Sequence, residues 1–199
     1  GADGIFSNTK FFFEKKKISP KFQKALAVRL ILKSKPEIKI NEENINLLMG
    51  SNTHLVLYPI NKKNEINLTC VFRHNQLNPE NIKSLIEKKV INQNPLLKSL
   101  FNNEIKYWPL YSSKKNFIPL NKKVFYIGDA FNGFLPTLAQ GAGQSIESAF
   151  ELFNLLKEEN YDASSIYFRT RSKRVKLVRN RSNFNFFIFH LSSSVIQAI

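Results

Sequence analysis

The distribution of apolar residues in the first part of the chain predicts three β-strands. Residues 25–32, 54–60 and 66–72 form short runs rich in β-branched and aromatic side chains, which is typical of strands. Only the polar turn NKKNE separates the second run from the third. These two strands are therefore predicted to pair as an antiparallel hairpin.

The pattern becomes helical in the middle of the chain and returns to a strand further on. Apolar residues recur at intervals of three and four between Pro79 and Val90, which predicts a helix, and a second short helix is predicted after Pro95. Val124–Ile127 is a continuous apolar run that predicts a strand buried on both faces, as in a parallel sheet. The chain thus combines a sheet-rich middle with a strand-loop-helix unit of α/β type.

The helix predicted after the last strand carries its apolar residues on one side. They are Ile146, Ala149, Phe150, Phe153 and Leu156. An apolar stripe of this kind normally faces a core, so this side of the helix is predicted to be buried.

The chain carries a formal net charge of +15. Such an excess is typical of proteins that bind nucleic acid or anionic membranes. The densest basic run consists of Arg169, Arg171, Lys173, Arg174, Lys176, Arg179 and Arg181. A solvated helix face explains this run more simply, so no nucleic-acid partner is expected. A basic protein without redox activity, bound to nucleic acid or a membrane surface, is the alternative of another class.

Other sequence features narrow the class of protein. At 199 residues and 43% hydrophobic, the chain can bury one core or two smaller ones. It contains neither a transmembrane run nor a recognisable signal peptide, so a cytoplasmic protein is expected. The single cysteine, Cys70, leaves no internal disulfide, and no metal site is predicted. Because the chain begins without methionine and ends abruptly, it is expected to be a fragment.

The loop that joins the last strand to its helix has the chemistry of a ligand site. Gly128 and Asp129 come directly after the buried strand, where open α/β sheets bind ligands. A carboxylate there can accept paired hydrogen bonds from sugar-like hydroxyls. Gly141 and Gly143 allow close backbone approach, and the helix N-terminus offers free N–H groups. The loop therefore predicts a site for an electron-rich or anionic group, with a plain strand-to-helix turn as the alternative.

The same stretch resembles the second FAD-binding motif of class A flavoprotein monooxygenases, the aromatic-ring hydroxylases. The matching residues are Gly128, Asp129, Ala130, Pro136, Gln140, Gly141, Ile146, Glu147 and Ala149. The first ten residues are similar to another motif of the family, an Asp-Gly pair followed by a serine and a basic residue. They are Asp3, Gly4, Ser7 and Lys10. The stretches HLVLYPI and LAQGA and the arginine-rich C-terminal helix resemble the salicylate hydroxylase-like branch.

The sequence also departs from the family. The family's glycine-rich first motif, which holds the ADP part of FAD, has no counterpart in this sequence. Asn132 stands where the family usually has histidine, and Lys10 replaces an arginine, which keeps the charge but loses the bidentate fork. The stretch LYSSKKNF lacks the aspartate-arginine pair that is common in this branch.

The resemblance implies an α/β fold: part of a Rossmann-like FAD-binding domain of glutathione-reductase type, with an inserted antiparallel-sheet substrate domain and a C-terminal helix. On this basis residues 1–22 end the first FAD-binding segment, and residues 23–112 form the substrate domain. Residues 113–163 form the second FAD-binding segment, and residues 164–199 form a C-terminal helical region.

The resemblance also implies an activity. It is an FAD-dependent monooxygenase that hydroxylates a phenolic or benzoate-like aromatic small molecule with O₂ and either NADH or NADPH, although the fragment alone is expected to be inactive. A ubiquinone-pathway hydroxylase or an epoxidase of the same superfamily is the alternative within this class. A homodimer is compatible with the family.

The family's site residues carry over to this sequence as expectations. Asp129, after Gly128, would bind the ribityl or ribose part of FAD, and Pro136 would line the isoalloxazine. The backbone from Gly141 through Ala142 to Gly143 would face the pyrimidine edge of the flavin. Asp3 and Gly4 would lie near the pyrophosphate and contact the nicotinamide cofactor.

Two residues are candidates for the substrate side. In the strand at 54–60, His54 and Tyr58 share one face with Val56. A phenolic substrate benefits from a base near its hydroxyl, so His54 and Tyr58 are the candidate catalytic residues. An ordinary half-buried strand histidine is the alternative, and His190 has no recognisable partner in the sequence.

Overall fold

The computed structural model describes residues 1–15, 19–33, 39–101, 105–114, 117, 119–158 and 161–191. The strands are β1 (Lys21–Leu32), β2 (Asn46–Gly50), β3 (Thr53–Ile60), β4 (Glu65–Arg73) and β5 (Lys106–Ser112). The α-helices are α1 (Asn8–Glu14), α2 (Ile82–Lys89), α3 (Asp129–Asn132), α4 (Gly141–Lys157) and α5 (Ala163–Ile188). Short 3₁₀ helices lie at Asn61–Lys63, Ile91–Gln93, Pro95–Phe101 and Pro136–Leu138.

The chain divides into two compact units. Gly1–Phe22 and Tyr111–Phe186 form the first, which we call the helical unit. Gln23–Leu110 and Phe187–Ile199 form the second, which we call the sheet unit. Among the described residues, no helix has both the length and the apolar character that a bilayer crossing demands.

The sheet unit is organised around a five-stranded sheet in the order β2-β3-β4-β1-β5. The pairs β2–β3, β3–β4 and β4–β1 are antiparallel, which confirms the predicted hairpin and the predicted antiparallel sheet. The helix predicted before Val90 and the short helix after Pro95 are also confirmed, as α2 and a 3₁₀ helix. The short strand β2 and the strand β5 were not predicted, because neither has a clear alternating pattern.

One face of the sheet carries the hydrophobic core of the sheet unit. The first face packs against α2 and the 3₁₀ helix Pro95–Phe101. This core contains Leu26, Val28, Leu30, Leu32, Leu55, Leu57, Ile66, Leu68, Cys70, Phe72, Ile86, Val90, Leu97, Leu100 and Phe101. The intervening residues lie on the opposite side, which we call the second face. The second face contains Ala27, Arg29, Ile31, Leu47, Met49, His54, Val56, Tyr58, Asn67, Thr69 and Val71.

The prediction that Val124–Ile127 forms a buried strand is wrong. No regular ladder forms there; instead the N–H of Ile127 donates to the carbonyl of Gly1 at 2.9 Å, and the carbonyl of Phe125 accepts from the nitrogen of Gly1. These are isolated contacts and not the successive pairs of a ladder, although Tyr126 lies in the core at 0% exposure.

The prediction that the apolar side of α4 is buried is also wrong. Ile146, Phe150, Phe153 and Leu156 are between 53% and 71% exposed. The opposite, polar side is the buried one, with Gln144 and Ser148 at 2% exposure each. The reason is an ion-pair cluster: the polar side of α4 receives a buried arginine from α5, and its hydrogen bonds require polar partners.

That buried arginine is Arg171, which is 1% exposed. Its guanidinium donates to Glu147 at 2.7 Å, to the side-chain oxygen of Gln144 at 2.8 Å and to Glu151 at 3.4 Å. Most other residues of the basic run are exposed, as expected for a solvated helix face. Arg171 is the fully buried member of the run and joins α5 to α4, while Arg179 is half-buried.

Candidate functional site

The Asp-Gly motif at the start of the chain forms a closed turn at the N-terminus of α1. The carboxylate of Asp3 accepts from the Ser7 hydroxyl at 2.6 Å and from the N–H of Thr9 at 2.9 Å, and the Ser7 oxygen caps α1 by accepting from the N–H of Lys10. Partial burial alone would raise the pKa of Asp3, but these hydrogen bonds outweigh it and hold the pKa well below its usual range. Gly4, at φ +79°, occupies a backbone conformation that favours glycine, with open space around its α-carbon.

The basic residue of this motif points into the helical unit. Lys10 is 6% exposed, and its ammonium lies 4.4 Å from the ring centre of Phe117 and 5.9 Å from that of Tyr126. Burial lowers the pKa of Lys10 to about 8, against the attraction of Asp3 and Glu14. Glu14 is itself buried and accepts from the Tyr126 hydroxyl at 2.9 Å. The motif therefore stabilises its own unit, and Gly4 leaves room beside it for a ligand.

The Gly128-Asp129 pair forms a tight turn into α3. Gly128 has φ +58° and ψ −141°, and a β-carbon there would lie 2.7 Å from the Ser145 hydroxyl of α4. Only glycine satisfies both the backbone conformation and this close approach. Asp129 follows as the first residue of α3, so the glycine fixes where its carboxylate lies.

Two polar side chains of α3 lack partners in the described part of the chain. The carboxylate of Asp129 is exposed and accepts no hydrogen bond from a described residue, and neighbouring protein atoms displace enough water to raise its pKa. Asn132 is 1% exposed, yet both polar atoms of its amide are without a partner among the described residues. Buried amides are normally hydrogen-bonded, so this pair of residues is suited to a polar ligand.

The glycine-rich loop opens the N-terminus of α4. No side chain caps this end, and the first three residues of the helix, Gly141, Ala142 and Gly143, are exposed. A β-carbon on Gly141 would meet nothing within 4 Å, and one on Gly143 would meet only the Gln140 amide oxygen at 3.9 Å. The first-turn N–H groups therefore face open space, where the helix dipole favours an anion or an electron-rich ring edge.

These residues fit FAD, the cofactor implied by the sequence motifs. The unpartnered carboxylate of Asp129 suits ribityl or ribose hydroxyls, and the uncapped start of α4 suits the carbonyl and nitrogen acceptors of a flavin ring. Pro136 begins the 3₁₀ helix between them, at its first position. The orphaned amide of Asn132 adds a second polar group that a ligand could satisfy. All of these residues belong to the helical unit.

The candidate catalytic residues lie in the sheet unit, and they differ in burial. His54 is 3% exposed; its Nδ1 lies 2.9 Å from Nε2 of His190, and its ring packs edge-on against Phe189. The expectation that His190 lacks a partner is therefore wrong. Burial, with a smaller effect from His190, lowers the pKa of His54 to about 3. Tyr58 is half-buried further along the same face.

The buried histidine pair predicts a specific loss of stability in acid. The pKa of His54 is lowered from 6.5 to about 3, so this neutral side chain contributes stability that is complete above pH 6.5 and is lost as the pH falls towards 3. The loss is up to about 1.4 kcal/mol per pH unit across that window. Denaturant unfolding of the wild type and of His54→Gln at pH 7, 6, 5 and 4 measures it. We expect the free energy of unfolding to decline less steeply with falling pH in His54→Gln than in the wild type. Parallel declines in the two proteins would contradict the lowered pKa of His54.

The fold of this chain is shared with solved structures of FAD-dependent hydroxylases. No protein-family model matches the sequence, and no curated protein matches it. Solved structures do match in fold. A salicylate hydroxylase in a substrate complex aligns with TM-score 0.78 and 20% identity, covering 95% of this chain and 54% of that one.

Two further solved structures share the fold. HpxO from Klebsiella pneumoniae, complexed with FAD and uric acid, aligns with TM-score 0.79 and 12% identity, covering 99% of this chain and 52% of its own. CtdE in complex with FAD and a substrate aligns with TM-score 0.74 and 14% identity, covering 95% of this chain and 53% of its own. The present chain thus spans about half the length of these proteins. The predicted fold is confirmed, and identities this low establish the fold alone.

Sequence reasoning missed several residues that the structure brings together. Glu147 was part of the FAD-motif match, but its carboxylate binds Arg171 and Arg174. The pairing of His54 with His190 joins residues 136 positions apart. No periodicity or local motif signals contacts of that range, so only the folded chain reveals them.

Proposed function

We propose that this chain is part of an FAD-dependent monooxygenase that hydroxylates an aromatic small molecule with NADH or NADPH and O₂. The observation that carries the proposal is a set of polar groups without a partner among the described residues, at Asp129, Asn132 and the uncapped start of α4. They lie within a fold shared with proteins solved in complex with FAD. Bound FAD would supply the activation of O₂ and the transfer of one oxygen atom to the ring.

The residues of the helical unit would bind and orient the cofactor. Asp129 would accept hydrogen bonds from its hydroxyls, and Pro136 would lie along the flavin ring. The first-turn N–H groups of Gly141, Ala142 and Gly143 would face the pyrimidine edge, where negative charge is stabilised by the positive end of the helix dipole. Gly128 would hold Asp129 in place, and Gly4 would leave room for the pyrophosphate.

The sheet unit would bind the aromatic substrate on its second face. Tyr58 is half-buried there and offers a hydroxyl that can donate to or accept from a phenolic oxygen. His54 is buried against His190 and, as a neutral imidazole, would orient that end of the face rather than touch substrate. We therefore assign Tyr58 the contact with substrate and His54 a positioning role.

The direct test is the purification of the full-length protein that carries this chain. We expect it to bind FAD with flavin absorbance and to oxidise NADH or NADPH faster when an aromatic substrate is added. A panel of phenols and benzoates, with hydroxylated product identified by mass spectrometry, measures the activity. A protein that binds no FAD but retards nucleic acid or sediments with anionic vesicles would contradict the proposal and favour the basic binding protein.

A further inference from the structure

Two segments of the helical unit meet at the end of α1. The carboxylate of Glu14, which is 5% exposed, accepts from the N–H of Leu120 at 2.7 Å and from the Tyr126 hydroxyl at 2.9 Å. Both carboxylate oxygens are therefore engaged, and they hold the segment before Tyr126 against α1. Because Lys10 is also buried, beside Phe117, the inner side of α1 is the one that carries Lys10 and Glu14.

The remaining side of α1 and the adjoining segment expose a cluster of large apolar side chains. They are Phe11, at 58% exposure, Phe12, at 74%, Phe13, at 42%, and Leu120, at 82%. The rings of Phe12 and Phe13 pack edge-on with their centres 5.1 Å apart. Single exposed apolar residues are ordinary on a protein surface, whereas a group of them usually marks a surface that binds a partner.

Exposed lysines flank these apolar side chains. Lys15 follows α1 directly, and Lys122 and Lys123 come shortly after Leu120 in the chain. None of the three lysines forms an ion pair with a described residue. Glu14 is the one acidic residue within the described segments 6–15 and 119–124, and it is buried. We call the four apolar side chains and these three lysines the α1 patch.

The composition of the α1 patch distinguishes between the partners that would cover it. A protein partner would bury the apolar side chains, but the cores of protein interfaces are depleted in lysine. Single-stranded nucleic acid would stack on the phenylalanines, but it offers little apolar surface to Leu120. An anionic bilayer accepts both components, because phenylalanine and leucine enter the boundary between headgroups and acyl chains while lysines contact the headgroups. The formal net charge of +15 adds attraction at longer range.

We infer that the α1 patch docks this protein on the surface of anionic lipid bilayers. Its apolar side chains enter the headgroup boundary, and Lys15, Lys122 and Lys123 bind the anionic headgroups. Binding is reversible, because a few apolar side chains and a few lysines anchor a protein only when they act together. This inference goes beyond the proposed function, since no residue of the α1 patch is assigned to FAD or to the aromatic substrate.

The test is co-sedimentation of the full-length protein with lipid vesicles. One set consists of phosphatidylcholine alone, and the other of equal parts of phosphatidylcholine and phosphatidylglycerol. We expect the wild type to bind the anionic vesicles about tenfold or more tightly than the neutral ones. We also expect weaker binding to the anionic vesicles at about 0.5 M salt than at about 0.1 M, because salt screens the attraction of the lysines.

Substitutions in the α1 patch are expected to weaken binding to the anionic vesicles. Phe12→Ser and Leu120→Ser, made separately, are each expected to lower the affinity about fivefold or more. Lys122→Gln combined with Lys123→Gln is expected to lower it about tenfold or more. Phe12→Leu keeps an apolar side chain and is expected to retain most of the affinity. All of these side chains are exposed, so each variant is expected to keep the thermal stability of the wild type.

The matched controls lie in the sheet unit. Leu96→Ser removes a leucine that is 64% exposed in the 3₁₀ helix Pro95–Phe101. Lys83→Gln combined with Lys88→Gln removes two exposed cations from α2 and lowers the net charge by the same amount as the double substitution in the α1 patch. Each control is expected to change the vesicle affinity less than about twofold, because its side chains lie outside the docked surface.

Several results would overturn the inference. They are the absence of binding to anionic vesicles, equal binding to neutral and anionic vesicles, equal affinities of the wild type and the variants of the α1 patch, and an equal loss in the controls. Binding of RNA, or dimerisation that depends on Phe12, in a protein that does not bind vesicles would also overturn it. FAD binding measured on the same protein is independent of this result: vesicle binding through the α1 patch without FAD would contradict the proposed function alone.

Discussion

Replacing Asp129 by alanine is expected to weaken FAD binding at least tenfold in the full-length protein. The carboxylate has no hydrogen-bond donor among the described residues, so it is available to the hydroxyls of the cofactor. Charge-assisted hydrogen bonds contribute roughly 1.5–3 kcal/mol each, and about 1.4 kcal/mol corresponds to a factor of ten in affinity. Fluorescence titration with FAD measures the change.

A second substitution at Asp129 separates its effect on FAD binding from its effect on folding stability. The pKa of Asp129 is raised in the folded protein, so its ionised carboxylate lowers the free energy of unfolding at neutral pH. This loss disappears as the pH falls below that pKa. Asp129→Asn is therefore expected to leave the thermal stability of the FAD-free protein equal or slightly higher while still weakening FAD binding. Glu158→Gln removes an exposed carboxylate from the other end of α4 and is the control. Unchanged FAD affinity in Asp129→Ala would remove Asp129 from the site.

Replacing Arg171 by methionine is expected to lower the free energy of unfolding by about 3 kcal/mol. Arg171 is 1% exposed and joins α5 to Glu147, Glu151 and Gln144 of α4. Breaking a buried pair from one side typically costs roughly 3–5 kcal/mol. The lower end of that range applies because Glu147 is 41% exposed and water can solvate it once the arginine is gone. Urea unfolding with a constant slope measures the loss.

Lys173→Met is the matched control for this prediction. Lys173 is exposed on the same helix, two residues away, and its replacement removes the same charge without breaking a buried contact. A change of at most about 0.5 kcal/mol is expected for such a surface position. Similar losses in the two variants would mean that helix charge, and not the buried cluster, determines the stability of this contact.

The exposed apolar side of α4 shows how the same helix combines a correct and a wrong prediction. Its periodicity correctly predicted an amphipathic helix, which the structure forms over Gly141–Lys157. It gave the wrong buried side, because burial depends on what packs against a helix and not on its own pattern. Arg171 on α5 requires carboxylate and amide partners, so the polar side of α4 faces α5.

The sequence by itself determined the local features of this protein. The β3–β4 hairpin, α2, and the turn at Gly128 followed by the glycine-rich start of α4 arise from short-range patterns and from residue types with restricted backbone conformations. The two motifs at Asp3 and Asp129 were sufficient to predict the fold class that the solved structures confirm.

Only the tertiary structure decided which side chains meet across long distances. The carboxylate of Asp3 is hydrogen-bonded by its own neighbours, whereas the side chains of Asp129 and Asn132 have no partner among the described residues. No local pattern distinguishes these outcomes. Likewise, Arg29 meets Asn67 from another strand because the register between β1 and β4 brings them together. Burial and hydrogen bonding depend on every element that packs around a residue, and those elements are set by the folded chain as a whole.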